Sequence, residues 1–204
     1  MQHEAADANT IGYDRVFAEE RKSGADRELW DIRNARKAKE FLEESHDKPF
    51  FLSYGMEATH KPYPGIAADI NPDYIKVPSC LPDTEETRED YAGFLTSGQL
   101  IDVLKESGQY ENTILLYTTD HGIALPHMKC TLYDTGIGVA MILSAPGYRK
   151  GTVVDALVSQ IDWYPTLCQL LEIPYPEWLE GASFKPLLDG EGEEVRAAVY
   201  AEIN

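Results

Sequence analysis

Three short, continuous apolar runs constrain this chain more than any other feature: "FFLSY" at 50–54, "ILLYTT" at 114–119 and "VAMILS" at 139–144. None alternates cleanly with polar residues, so each predicts a strand buried on both faces. Such strands need covering layers, and helical patterns supply them. From Arg27 to Ser45, the apolar positions Leu29, Ile32, Ala35, Ala38, Phe41 and Leu42 recur at helical spacing. "DKP" ends that pattern, because Pro49 disfavours helix at Lys48. Asp83 followed by "TEE" predicts an N-cap and an acidic first turn. The helix it opens should reach about Ser107, with Tyr91, Phe94, Leu95, Ile101 and Leu104 facing inward. "IDWYPTLCQLLEI" predicts another helix from near Asp162, with Pro165 tolerated in its first turn and Leu167, Leu170 and Leu171 facing the core. "AVYAEI" at 198–203 is a candidate fourth strand. Strands alternating with helices predict an α/β layered domain.

The 204 residues fit one domain or a small two-part domain. A hydrophobic share of 43% is enough for a core. The net charge of −17 argues against nucleic acid or an anionic membrane surface as a partner. No apolar run reaches transmembrane length. Cys80, Cys130 and Cys168 are odd in number and unrelated in spacing, which predicts a reducing compartment rather than a disulfide framework. "MQHEAADANT" lacks the apolar centre of a signal peptide, so a cytoplasmic location is the default expectation.

In open α/β sheets, ligands bind beyond the carboxyl ends of the strands. His60 follows the first apolar run, Asp120 and His121 follow the second, and Lys129 lies in the loop after them. Two strand ends could therefore deliver polar groups to one crevice. Asp120 is a good hard-cation ligand, and His121 offers a second donor. Against that stands a plainer role, in which Asp120 caps a turn and His121 is solvated. His60 could hold an anion or protonate a leaving group, although a lone His is more often structural. Lys129 is a positive group in an acidic chain, and most lysines are simply exposed. His121, His127 and Cys130 also admit a zinc reading, at a spacing that matches no standard finger.

Four stretches together resemble the sulfatases of the alkaline-phosphatase-like superfamily. They are "KPFFLSYGMEATHKPY", "ENTILLYTTDHG", "KCTLYDTGIGVAMILSAPG" and "SQIDWYPTLCQLLEI", in the family's order across most of residues 47–190. "VPSCLPDTEETREDYAGF" and "IPYPEWLEGASFKPLL" point to the sulfamidase-like branch. The resemblance implies a mostly parallel sheet flanked by helices. It implies hydrolysis of sulfate ester or sulfamate groups on sulfated, glycosaminoglycan-type sugars, assisted by Ca²⁺. Asp120 would ligate the Ca²⁺, with His121 beside it. Lys129 would bind a sulfate oxygen, and His60 would contact the sulfate or help the leaving group. Cys130, Thr131 and Tyr133 would shape the loop that carries Lys129. A divalent cation with Lys and His is a positive cluster suited to the charge that develops on sulfate oxygens.

The chain also departs from the family pattern. Sulfatases use a formylglycine nucleophile made from Cys or Ser in a C/S-x-P-x-R stretch, ahead of the His-bearing loop. "CLPDT" at Cys80 has Thr84 where Arg is required, and it follows His60. No residue is therefore assigned as nucleophile. The expectation is an incomplete sulfatase domain over 1–204, with a weakly patterned segment at 1–25. It would lack N-terminal strands, part of the metal site and a C-terminal subdomain, and would be inactive alone unless a missing N-terminal chain joins it. Two alternatives stay open. One is a non-catalytic remnant or split half that binds sulfated glycan. The other is a phosphodiesterase or phosphomutase of the same superfamily, which the count of five His disfavours.

Overall fold

A computed structural model describes residues 12–17, 27–56, 71–77, 82–85, 87–88, 104–122, 124, 126–148 and 151–202. The chain falls into two compact units, Met1–Glu111 and Asn112–Asn204. Among the described residues, Ala38, Leu42 and Leu104 are buried in the first unit, and Met128, Ala145, Cys168 and Phe184 in the second. No described helix is long and apolar enough to cross a membrane.

The first unit is organised around helix α1, Arg27–Glu43, close to the expected span. Leu42 is almost sealed from solvent, a burial that contributes about 1.5–3 kcal/mol. The end of a helix leaves carbonyls without partners. Here His46 Nε2 donates to the Phe41 carbonyl at 2.7 Å, and the Gln109 side chain donates to that of Leu42. Lys39 reaches Glu106 at 3.2 Å and Glu43 at 3.7 Å, and these partners hold its ammonium above the usual lysine range.

"FFLSY", expected as a strand, forms none. Phe51 is 71% exposed, while Phe50 packs edge-on against Phe41 with ring centroids 4.9 Å apart. The Tyr54 hydroxyl donates to the Asp31 carbonyl at 2.9 Å. The run thus leans on α1 through its side chains. An apolar run reports a wish for burial, and a helix surface satisfies it as well as a sheet does. The expected cap at Asp83 also falls to a neighbour. Thr84 Oγ1 accepts the Thr87 N–H at 3.2 Å, while Asp83 forms a two-pronged pair with Arg88 at 2.6 and 2.7 Å. That pair holds the Asp83 carboxyl below its ordinary range. Tyr91, Phe94, Leu95 and Ile101 lie outside the described residues; Leu104 is buried as expected.

In the second unit, β1 (Leu115–Thr118) and β2 (Met141–Ser144) pair antiparallel, with Leu115 opposite Ser144 and Thr118 opposite Met141. Both strands fall within their expected runs. Among the described residues, the connection between them carries the short helix α2, Asp134–Ile137.

Helix α3, Trp163–Leu170, begins where expected, after a 3-10 turn at Gln160–Asp162. Its inner face is not the expected leucines. Pro165, Thr166 and Cys168 are buried, and Leu171 is 53% exposed. A polar bridge sets this rotation. Thr166 Oγ1 donates to the Asp162 carbonyl at 2.6 Å and accepts the Phe184 N–H at 3.0 Å. Asp162 is fully buried, and its carboxylate accepts the N–H groups of Ser159 at 2.7 Å and Ala182 at 2.8 Å, together with two N–H bonds from Arg196. Gly181 passes so close that a Cβ there would lie 2.1 Å from the Ile161 carbonyl oxygen. Helix α4, Lys185–Asp189, follows and ends on Gly190 in the left-handed region. "AVYAEI" is no strand over its described residues, and Tyr200 is 83% exposed. It lies outside the protected layers that a buried strand would need.

Candidate functional site

The tip of β1 is pinned on several sides. Thr119 N–H donates to the Ala140 carbonyl at 3.3 Å, and Ala140 N–H donates back to Thr119 Oγ1 at 3.1 Å. The Thr119 carbonyl accepts the Thr118 hydroxyl at 3.1 Å and the Gln160 side-chain amide at 2.9 Å. Gln160 escaped the sequence reading, because no local pattern links residues so far apart in the chain.

Asp120 and His121 sit just past this anchor. The Asp120 carboxylate is largely exposed, and its Oδ1 lies 3.5 Å from His121 Nε2. His121 Nδ1 lies 2.6 Å from the Gly122 carbonyl. A carbonyl only accepts, so Nδ1 carries the proton. His121 Nε2 is the nitrogen on the Asp120 side. A carboxylate oxygen and an imidazole nitrogen thus share one small region, reached by solvent.

The loop beyond folds back on itself. Gly122 N–H donates to the Gly136 carbonyl at 3.0 Å. A Cβ on Gly122 would stand 1.9 Å from the Thr135 carbonyl oxygen, so only glycine permits this approach. Thr131 Oγ1 donates to the Met128 carbonyl at 2.7 Å, and Thr135 Oγ1 to that of His127 at 2.9 Å. The Tyr133 carbonyl accepts the Gly136 and Ile137 N–H groups at 2.7 and 3.0 Å. Lys129 is half-buried in this loop, and both His127 and Cys130 are held at a φ of 62°. Positive φ is costly for residues with a Cβ, so the backbone around Lys129 is strained and held by its surroundings.

His60 lies outside the described residues. The zinc reading fails: all three of its residues are described, and no group of three potential ligands occurs among the described residues. His127 instead sits edge-on to Tyr133, with centroids 6.3 Å apart. For Ca²⁺ the fit is partial. Ca²⁺ takes about six to eight oxygen ligands. Asp120 and His121 offer a hard oxygen and one nitrogen, which fits part of a shell and not the whole of one.

The described strands and helices form part of an alkaline-phosphatase-like α/β fold. A solved structure from work on the metabolism of multiple glycosaminoglycans by Bacteroides thetaiotaomicron superposes with a TM-score of 0.66 over 83% of this chain and 41% of that one, at 24% identity. The Sulfatase family profile matches residues 5–173, and the chain belongs to the sulfatase family. N-sulphoglucosamine sulphohydrolase of Homo sapiens is 26% identical over 196 residues, covering 75% of this chain and 39% of that protein. Arylsulfatase K of Gallus gallus is 36% identical over 101 residues, covering 48% of this chain and 19% of that protein. The chain thus spans about two-fifths or less of these curated relatives. The expected family and its sulfamidase-like branch are borne out.

Proposed function

We propose that this chain carries part of a sulfuric ester hydrolase site for sulfated sugars, in which Asp120 and His121 contribute to a Ca²⁺ site and Lys129 holds a sulfate oxygen. One observation carries the reading: within the segment matched to the sulfatase family, a carboxylate and an imidazole nitrogen stand 3.5 Å apart at a strand tip pinned by its neighbours. The likeness to an N-sulphoglucosamine sulphohydrolase supports a sulfated sugar as the substrate class, and the likeness to an arylsulfatase supports sulfate ester chemistry.

The cation, when bound, supplies positive charge that steadies the sulfate oxygens as the sulfur–oxygen bond breaks. Asp120 lends a charged oxygen ligand. His121 lends Nε2, while its Nδ1 donates to the Gly122 carbonyl. Lys129 offers an ammonium for a sulfate oxygen and offsets negative charge there. His60 takes its role by sequence alone, as the group that contacts the sulfate or protonates the leaving oxygen. The chain has no C/S-x-P-x-R stretch, so no residue is assigned as the formylglycine nucleophile, and the chain alone is expected to be inactive.

Calorimetric titration of the full chain with Ca²⁺ tests the assignment. Binding is expected in the unaltered chain and its loss in Asp120→Ala. Equal binding by both would sink the metal assignment. Turnover of a chromogenic aryl sulfate by the isolated chain would overturn its expected inactivity.

A further inference from the structure

We infer that Gln160 is a positioning residue, one that fixes the peptide plane from which Asp120 and His121 project; what the pair holds rests on the reading above, but its anchoring does not. The carbonyl of Thr119 and the N–H of Asp120 belong to one rigid peptide unit. The Gln160 amide donates to that carbonyl at 2.9 Å. The Thr118 hydroxyl donates to the same oxygen at 3.1 Å, so both of its lone pairs are engaged. With the oxygen held, the plane cannot rotate, and the direction in which Asp120 leaves the strand is set.

Gln160 is itself held. It opens the 3-10 turn whose capping box joins Ser159 and Asp162. Asp162 is fully buried and tied to Ala182 and Arg196, while Gly181 closes in on the Ile161 carbonyl. A long, flexible amide usually gives up conformational freedom when it makes a bond. Here its backbone is already locked at the Asp162 anchor, so only the side-chain torsions remain to be ordered. The buried Asp162 cluster therefore reaches the strand tip through one side chain.

Amide hydrogen exchange tests this without any ligand. Three amides report on the tip, those of Thr119, Ala140 and Gly122, each hydrogen-bonded in the structure. Gln160→Ala and Gln160→Glu should both speed their exchange by about threefold to tenfold, the scale of one net neutral hydrogen bond. The Glu variant keeps the shape and loses the donor, so a space-filling role would leave it like the unaltered chain. Amides in α3 should keep their protection in both. Gln169→Ala, which removes a bond from α3 to the Tyr175 hydroxyl beyond its end, should leave the three tip amides unchanged. Unchanged exchange in both Gln160 variants, or a response in Ala alone, overturns the inference. A Ca²⁺ titration of the same proteins separates the two claims. Weaker Ca²⁺ binding in Gln160→Ala supports both. Faster exchange in a chain that binds no Ca²⁺ sustains the anchor and removes the metal.

Discussion

The Asp162 carboxylate, fully buried, is clamped by the Arg196 guanidinium 34 residues along the chain. Breaking such a pair by removing one partner strands an uncompensated charge, at a cost of about 3–5 kcal/mol. Arg196→Ala should lose about that much unfolding free energy, read as a lower urea midpoint with little change in the denaturant slope. Pairing it with Asp162→Asn should recover part of the loss. A double variant no more stable than Arg196→Ala would show that the charge is not the source.

Gly122→Ala places a methyl group against the Thr135 carbonyl oxygen, where 1.9 Å is available. The acceptor is backbone, so the loop must move. A loss of about 1–3 kcal/mol in thermal unfolding is expected, the range for overpacking a filled site. Ca²⁺ affinity should fall with it, since Gly122 also accepts the His121 Nδ1–H. A variant with wild-type melting would contradict the close approach.

Lys129→Ala separates anion from cation. Hydrogen bonds to charged groups contribute enough that inorganic sulfate should bind about tenfold more weakly. Ca²⁺ binding should stay unchanged, because the pair at the tip of β1 is untouched. Calorimetry with sulfate and Ca²⁺ in turn reads both. Loss of Ca²⁺ binding instead would place the amine's influence on the metal.

Alkaline stability carries its own signature. Burial of Tyr54, helped by the Asp31 charge, pushes its phenol from 10.0 to about 12. A raised pKa means the folded state resists ionisation. The stability linked to this group is whole below about pH 10 and drains away as pH climbs toward 12. Tyr54→Phe should flatten the fall across that window, measured by urea unfolding at successive pH values. Tyr117, also raised by burial, should leave a residual slope. An unaltered slope in Tyr54→Phe would show that Tyr54 keeps an ordinary phenol.

Local patterns in the sequence carried over well. The helical spacing of α1 and the apolar runs of β1 and β2 need only near neighbours to be read, and the D-H-G at the strand tip lay where expected. Pairing partners were less legible. "FFLSY" and "AVYAEI" have strand composition, yet nothing in a run of residues says whether another strand or a helix will cover it. The inner face of α3 was misread for a related reason. A buried hydroxyl bridging Asp162 to Phe184 outweighed the leucines, and its far end lies beyond any local window. Gln160 stayed hidden likewise, since its partner Thr119 lies 41 positions away.

The left-handed turns at His127 and Cys130 carry a lesson for anyone breeding hardier versions of this protein. Each keeps its loop above its resting energy by about 1 kcal/mol. A library selected for heat resistance alone would converge on glycine or asparagine at both codons. It would return a calmer loop, and glycine at either codon would widen the backbone choices open on that side of Lys129.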